Sequence, residues 1–151
     1  MNYWLIKTEP RAYSIDDLAK DKKTPWTGVR NFQARNFMRD QMTVGNRVLF
    51  YHSGVERSIM GIARVSSQSQ PDPTQFVRKS PYYEPRATNK IPIWYMVTFS
   101  FVKKFKKRIP LSHLKIRSGL AGMELLRRGS RLSIQPVSEK NFKVIETLES
   151  L

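Results

Sequence analysis

The chain has 151 residues, enough for one domain with a self-sufficient core, and its 40% apolar and 26% charged residues suit a globular fold. Twenty-seven lysines and arginines against twelve acids leave a net charge of +15, which favours a polyanionic partner through counterion release. The absence of cysteine excludes disulfides, thiolate nucleophiles and thiolate metal sites.

His52 and His113 lie far apart with no partner at metal-ligand spacing, so neither a metal nor another cofactor is expected. No run approaches the roughly 18 apolar residues of a membrane span, and no long basic amphipathic helix suggests a membrane surface. The N-terminus meets acidic residues within a few positions and has no apolar stretch of signal-peptide length. A monomer in the cytoplasm, or in the nucleus if the source is eukaryotic, is the expectation.

In chain order, Tyr3 to Glu9 reads as a strand buried on both faces and ended by Pro10. Ser14 followed by Ile15, Asp16, Asp17 and Leu18 is a helix start, with the serine as cap and acids in the first turn. A polar loop from Lys20 to Pro25 delivers Trp26, and Gly28 beside it allows positive φ or a close approach. Asn31 caps a helix predicted to run to Met42, with Ala34, Phe37 and Met38 on one face and Arg35 and Arg39 on another. Strands at 47–53 and 58–65 form a hairpin through the turn at Gly54 to Arg57.

Regularity breaks down from Thr74 to Pro92, where Pro81, Pro85 and Pro92 punctuate Ser80, Tyr82 and Tyr83. That stretch is either a functional loop or a disordered flap. Ile93 to Val102 carries the strongest strand pattern and runs on into Lys103, Lys104, Phe105, Lys106, Lys107 and Arg108. Between Phe101 and Arg131 ten lysines or arginines face a single acid, Glu124, which predicts a contiguous positive patch. Short helices are expected after Pro110 and around Gly122 to Arg128, then a strand from Arg131 to Val137. A last helix follows, capped by Ser138, with Phe142, Ile145 and Leu148 inward. No repeat or boundary divides residues 1–151, and the pattern predicts an α+β domain on a small, mostly antiparallel barrel.

Trp26 admits two readings. An isolated tryptophan mostly packs in a core, with Asn31 no more than a cap. Alternatively the indole, free amides and a helix N-terminus suit a flat, polar-edged ligand next to phosphate, such as a nucleobase.

The motifs Tyr3-Trp4-Leu5-Ile6-Lys7-Thr8-Glu9-Pro10, Trp26-Thr27-Gly28-Val29-Arg30-Asn31 and Phe50-Tyr51-His52-Ser53 resemble the EVE domain family. So do Gly61-Ile62-Ala63-Arg64-Val65, Pro71-Asp72-Pro73-Thr74, Ser80-Pro81-Tyr82-Tyr83 and Arg131-Leu132-Ser133-Ile134-Gln135-Pro136-Val137, in order along the whole chain. The resemblance implies a PUA-like β-barrel flanked by helices, related to the YTH and ASCH domains, with a pocket for a base that carries a modification. By similarity to the YTH cage, it gives Trp26 the stacking role and makes Tyr82 and Tyr83 candidates by location.

A base read in this way must be extruded or single-stranded, and an aromatic face recovers about 1–3 kcal/mol of stacking whatever its identity. Identity needs hydrogen bonds to the base edge, for which Asn31, His52, Ser53, Gln135, Thr8, Glu9 and Tyr51 are the candidates. His52 and Gln135 have an equally good structural role open to them, and strand alternation turns Tyr51 away from Phe50 and His52. Arg30, Arg35, Lys103, Lys104, Lys106, Lys107 and Arg108 are the candidate phosphate contacts. Some ASCH-type relatives suggest a ribonuclease using Lys7, Glu9, Tyr51 and His52, but nothing in the sequence pairs these groups. The nucleic acid could be RNA or DNA, and a third reading, a basic protein that coats RNA through charge alone, would need no pocket and would lose nearly all its binding at high salt.

Overall fold

The computed structural model describes residues 1–150. Six strands form one curled sheet: β1 (Tyr3–Thr8), β2 (Lys23–Pro25), β3 (Arg47–His52), β4 (Ser58–Val65), β7 (Thr98–Pro110) and β8 (Ile134–Val137). Their spatial order is β2-β7-β4-β3-β1-β8, and every neighbouring pair is antiparallel except β1 and β3. Two short strands, β5 (Gln70–Pro71) and β6 (Tyr95–Met96), pair separately. The fold is α+β, a six-stranded half-barrel flanked by helices.

Alternation along the strands gives the sheet two buried faces. Trp4, Ile6, Val48, Phe50 and Phe99 fill the inside of the curl, together with residues of α1 (Ile15–Asp21) and α2 (Phe32–Asn36). Leu5, Leu49, Tyr51 and Ile59 face the other way, beneath Leu114 of α3 (Leu111–Lys115) and Phe142 and Ile145 of α4 (Glu139–Ser150). The tight curl needs close backbone contact at Gly61, where a Cβ would lie 2.3 Å from the Lys103 carbonyl oxygen. The β4–β7 register shifts on both sides of that point.

Local signals set most of the helix starts. Ser14 Oγ accepts the Asp17 N–H at 3.1 Å while the Asp17 carboxylate accepts the Ser14 N–H at 2.9 Å, a complete capping box. Asn31 Oδ1 accepts the Ala34 N–H at 2.9 Å, and Ser138 Oγ the Asn141 N–H at 3.1 Å.

Several predicted elements differ: Lys23–Pro25 of the expected polar loop forms β2, and the expected strand from Ile93 to Val102 breaks at Val97 into β6 and β7. The helix from Asn31 widens into a π-helical turn at Phe37–Gln41, which keeps Met38 and Met42 both in the core while Arg39 and Asp40 pair outside. The segment around Gly122 forms two 3-10 turns, at Ser118–Leu120 and Glu124–Leu126. Leu120, Met123 and Leu125 all turn inward at a spacing that no α-helix provides. The last strand starts at Ile134, because Leu132 is drawn into the core before it.

The stretch from Thr74 to Pro92 is folded around one buried side chain. Gln75 Nε2 donates to the carbonyls of Asp72 (2.8 Å) and Trp94 (2.7 Å), and its Oε1 accepts the N–H groups of Ile93 (3.0 Å) and Trp94 (2.9 Å). All the capacity of one amide is thus spent on tying the two ends of the loop together.

Candidate functional site

The sheet stops short of closing, and its two edges come together at a single cleft. Thr24 and Pro25 of β2 form one side; Ser133, just ahead of β8, and Lys7 and Thr8 at the end of β1 form the other. The segment from Trp26 to Arg30, with Ala12, Tyr13 and Tyr82, completes a concavity of about 430 Å³. That volume lies within the range of small-ligand pockets.

Trp26 is half-buried at this seam. Its ring meets Phe99 (5.5 Å between centroids), Tyr13 (5.9 Å) and Phe50 (6.2 Å) edge to face, which fixes its tilt from the core side. The remaining indole surface belongs to the cleft. Tyr13 stays neutral: burial first, and then its hydrogen bond to Asp21, push its pKa up to about 12. Burial lowers the pKa of Lys7, against a smaller opposing pull from Glu124.

The wall opposite β1 is held by a buried carboxylate. Asp72, fully buried, accepts the N–H of Gly28 (2.8 Å) and of Thr74 (2.8 Å), the Thr74 hydroxyl (2.6 Å) and Arg30 Nη1 (3.1 Å). Burial alone would raise its pKa. The bonds from Thr74, Gly28 and Arg30 outweigh that effect and hold it below the ordinary 3.8. Arg30 also donates to the Tyr82 carbonyl (2.8 Å) and lies over the rings of Trp94 (5.2 Å) and Tyr82 (5.3 Å). The Tyr82 ring covers Gly28, where a Cβ would come within 2.8 Å of Cζ, and φ is +83°. Gly28→Ala is therefore expected to cost about 1–2 kcal/mol of stability from the backbone alone, and to displace Tyr82 from the cleft wall. Chemical denaturation and the aromatic contacts of Tyr82 by NMR check the two effects.

Of the sequence-predicted base-pocket residues, Trp26, Thr8 and Tyr82 line the cleft. Ser53 and Tyr51 line a neighbouring trough, and Glu9 lies at its edge against Gly54. His52 is elsewhere: it is buried, its Nε2 accepts the Ile15 N–H at 3.0 Å, and its Nδ1 meets Glu56. Gln135 is also buried and donates to the Leu132 carbonyl at 2.9 Å, so the structural role weighed for both residues is the one they fill. Asn31 serves as a cap, and Tyr83 is not among the cleft residues.

Two predicted phosphate contacts are spent inside the fold. Arg30 is bound as described, and Arg35 donates to the Ile93 carbonyl (2.8 Å) and to Asn36 Oδ1 while lying over the Phe32 ring. Lys103 pairs with Glu149 (2.9 Å) and Lys104 with Asp16 (2.8 Å), whereas Lys106, Lys107 and Arg108 are exposed on the far half of β7. Thr98 of β7 pairs with Pro25 at the cleft, so Lys106 lies roughly 25 Å along the strand from it.

Sequence reasoning gave no base-binding part to Lys7, Tyr13, Asp72 or Ser133. Only Asp72 carried a local signal, an acid directly before Pro73 and Thr74, which is the pattern of a capped turn. Among the described residues, no group of three or more histidines or acids is placed to hold a metal ion, and no helix is long and apolar enough to cross a membrane.

Comparison with known proteins gives a consistent result. The EVE domain profile matches residues 2–148. The mouse protein thymocyte nuclear protein 1 is 39% identical, over 98% of this chain and 74% of its own length. A crystal structure from Pseudomonas putida superposes with a TM-score of 0.92 at 41% identity, covering 97% of this chain and 99% of that one. The human THYN1 protein, solved in complex with DNA containing 5-methylcytosine, superposes with a TM-score of 0.90 at 36% identity and covers 100% of this chain and 99% of its own.

Proposed function

The chain belongs to the EVE domain family, and from that premise we propose that it is a non-catalytic nucleic-acid-binding module that reads a modified base, with 5-methylcytosine as the leading candidate. The observation that carries this reading is the indole of Trp26, held edge-on by the core and facing the seam of the half-barrel. An extruded base lies flat on that surface, where stacking contributes about 1–3 kcal/mol. Thr8, Thr27, Ser133 and Lys7 stand around it with polar groups for the base edge and the adjoining phosphate. The human relative bound to methylated DNA supports the choice of base class.

The net charge of +15 supplies sequence-independent attraction. In this reading Lys106, Lys107 and Arg108 hold phosphates distant from the base, because roughly 25 Å spans about seven nucleotides of a B-form duplex strand. A ribonuclease reading gains no support from the geometry, since Lys7 opens to the cleft while both ring nitrogens of His52 are occupied elsewhere.

The test is a binding series with matched DNA and RNA oligonucleotides carrying one cytosine, 5-methylcytosine or 5-hydroxymethylcytosine. A preference for one modified strand that persists as salt is raised is the expected result. Equal affinity for all strands, disappearing together at high salt, would leave only charge and refute the reading.

A further inference from the structure

We infer that a second concavity, lined by Lys7, Tyr51, Ser53, Gly54, Val55 and Arg57, holds the backbone phosphate next to the nucleotide read at Trp26. The inference rests on the base-reading role proposed above and assigns that site's missing phosphate contacts.

Lys7 lines both concavities, so the trough begins where the cleft ends. The parallel register of β1 and β3 explains the juxtaposition: Lys7 lies opposite Tyr51, and the Ser53 N–H donates to the Thr8 carbonyl at 2.9 Å. The β3–β4 hairpin then brings Arg57 round to the same trough. Its volume is about 440 Å³, and it opens widely to solvent, as a path for a strand requires and a closed ligand pocket does not.

The donors here are uncommitted, unlike those of Arg30 and Arg35. Among the described residues, the Lys7 ammonium, the Tyr51 hydroxyl and the Ser53 hydroxyl have no hydrogen-bond partner, and Arg57 uses only Nε, donating to the Gly54 carbonyl at 3.2 Å. Two cations and two hydroxyls around one open trough are the groups that fix a phosphodiester in place. Burial lowers the pKa of Lys7, and an anion beside it would relieve that desolvation. Burial raises the pKa of Tyr51, which keeps its hydroxyl a donor, and the Arg57 charge pulls weakly the other way. Two carboxylates bear on the trough: Glu9 stands at the rim against Gly54, and Glu124, itself paired with Arg127 at 2.6 Å, acts on Lys7 from outside the lining.

The backbone at Arg57 provides a control. Its φ of +40° lies in the left-handed region that glycine adopts freely, so Arg57→Gly removes the cation without straining the hairpin. The experiment titrates a short labelled single strand with one central 5-methylcytosine, and its unmodified twin, into wild type and Arg57→Gly across a salt series. The expected result is an unchanged or higher Tm and about tenfold weaker binding of both strands. The slope of log K against log salt should be shallower by about 0.7–0.9, the loss of one phosphate contact, with the ratio between strands preserved. Lys7→Gln should likewise weaken both strands and make the salt slope shallower. An unchanged slope with affinity within twofold of wild type would overturn the trough assignment, even if the base preference stands. Equal binding of the two strands by wild type would instead refute the base-reading role, and a shallower slope in Arg57→Gly would still place a phosphate in the trough.

Discussion

Asp72→Ala is expected to lower folding stability by about 3–5 kcal/mol, the usual consequence of removing one partner from a buried ion pair. The urea midpoint should fall by about 2 M, given typical denaturant slopes for a domain of this size. The loss is large because four donors lose the acceptor they share: Arg30 Nη1, the Gly28 N–H, the Thr74 N–H and the Thr74 hydroxyl. The cleft wall should loosen as well, since Gly28 and Tyr82 both depend on this cluster. A second substitution, Arg30→Met, should recover part of the stability by removing the uncompensated charge. A fall of less than about 1 kcal/mol in the single variant would show that the cluster does not brace the cleft.

The same carboxylate sets a pH dependence with a definite sign. Its folded pKa is depressed below the ordinary 3.8, so its contribution is complete above that value and is lost as pH falls through the folded pKa. Asp72→Asn should therefore flatten the acid limb of the stability profile below about pH 4 and leave the neutral region parallel to wild type.

Trp26→Ala is expected to weaken binding of the preferred modified strand by roughly 5- to 150-fold, the equivalent of about 1–3 kcal/mol of stacking. The ratio between modified and unmodified strands should collapse towards one, leaving a salt-sensitive background carried by the cations. Because the indole also meets Tyr13, Phe50 and Phe99, the alanine variant should lose some stability, so Trp26→Phe is the companion measurement. The phenylalanine variant should fold nearly as well as wild type and keep part of the preference. If Trp26→Ala folds and retains the full ratio between strands, the base is read somewhere else.

Much of the frame follows from short windows of sequence. Ser14 with Asp17, Asn31 with Ala34 and Ser138 with Asn141 act over three residues, and each forms the cap its spacing announces. The hairpin of β3 and β4 and the inward face of α4 follow from periodicity in the same way. The aromatic at Trp26 was legible as a candidate because a lone tryptophan beside a glycine and a capped helix is a local pattern. Whether it faced the core or a cavity was not.

What the sequence determined by itself is therefore most of the longer elements, the basic character and the place of Trp26 along the chain. The tertiary structure alone decided which cations are available. Arg30 is neutralised by a carboxylate 42 residues away and Arg35 is tied to a carbonyl 58 residues away, while Lys7 and Arg57 are left to meet at an open trough. It also decided that the two sheet edges come together as a cleft, because that depends on how far six strands curl. The physical reason is one of range: caps and periodicity are settled within a turn or two of chain. The fate of a charge depends on which distant group desolvates or pairs with it, and no short window contains that group.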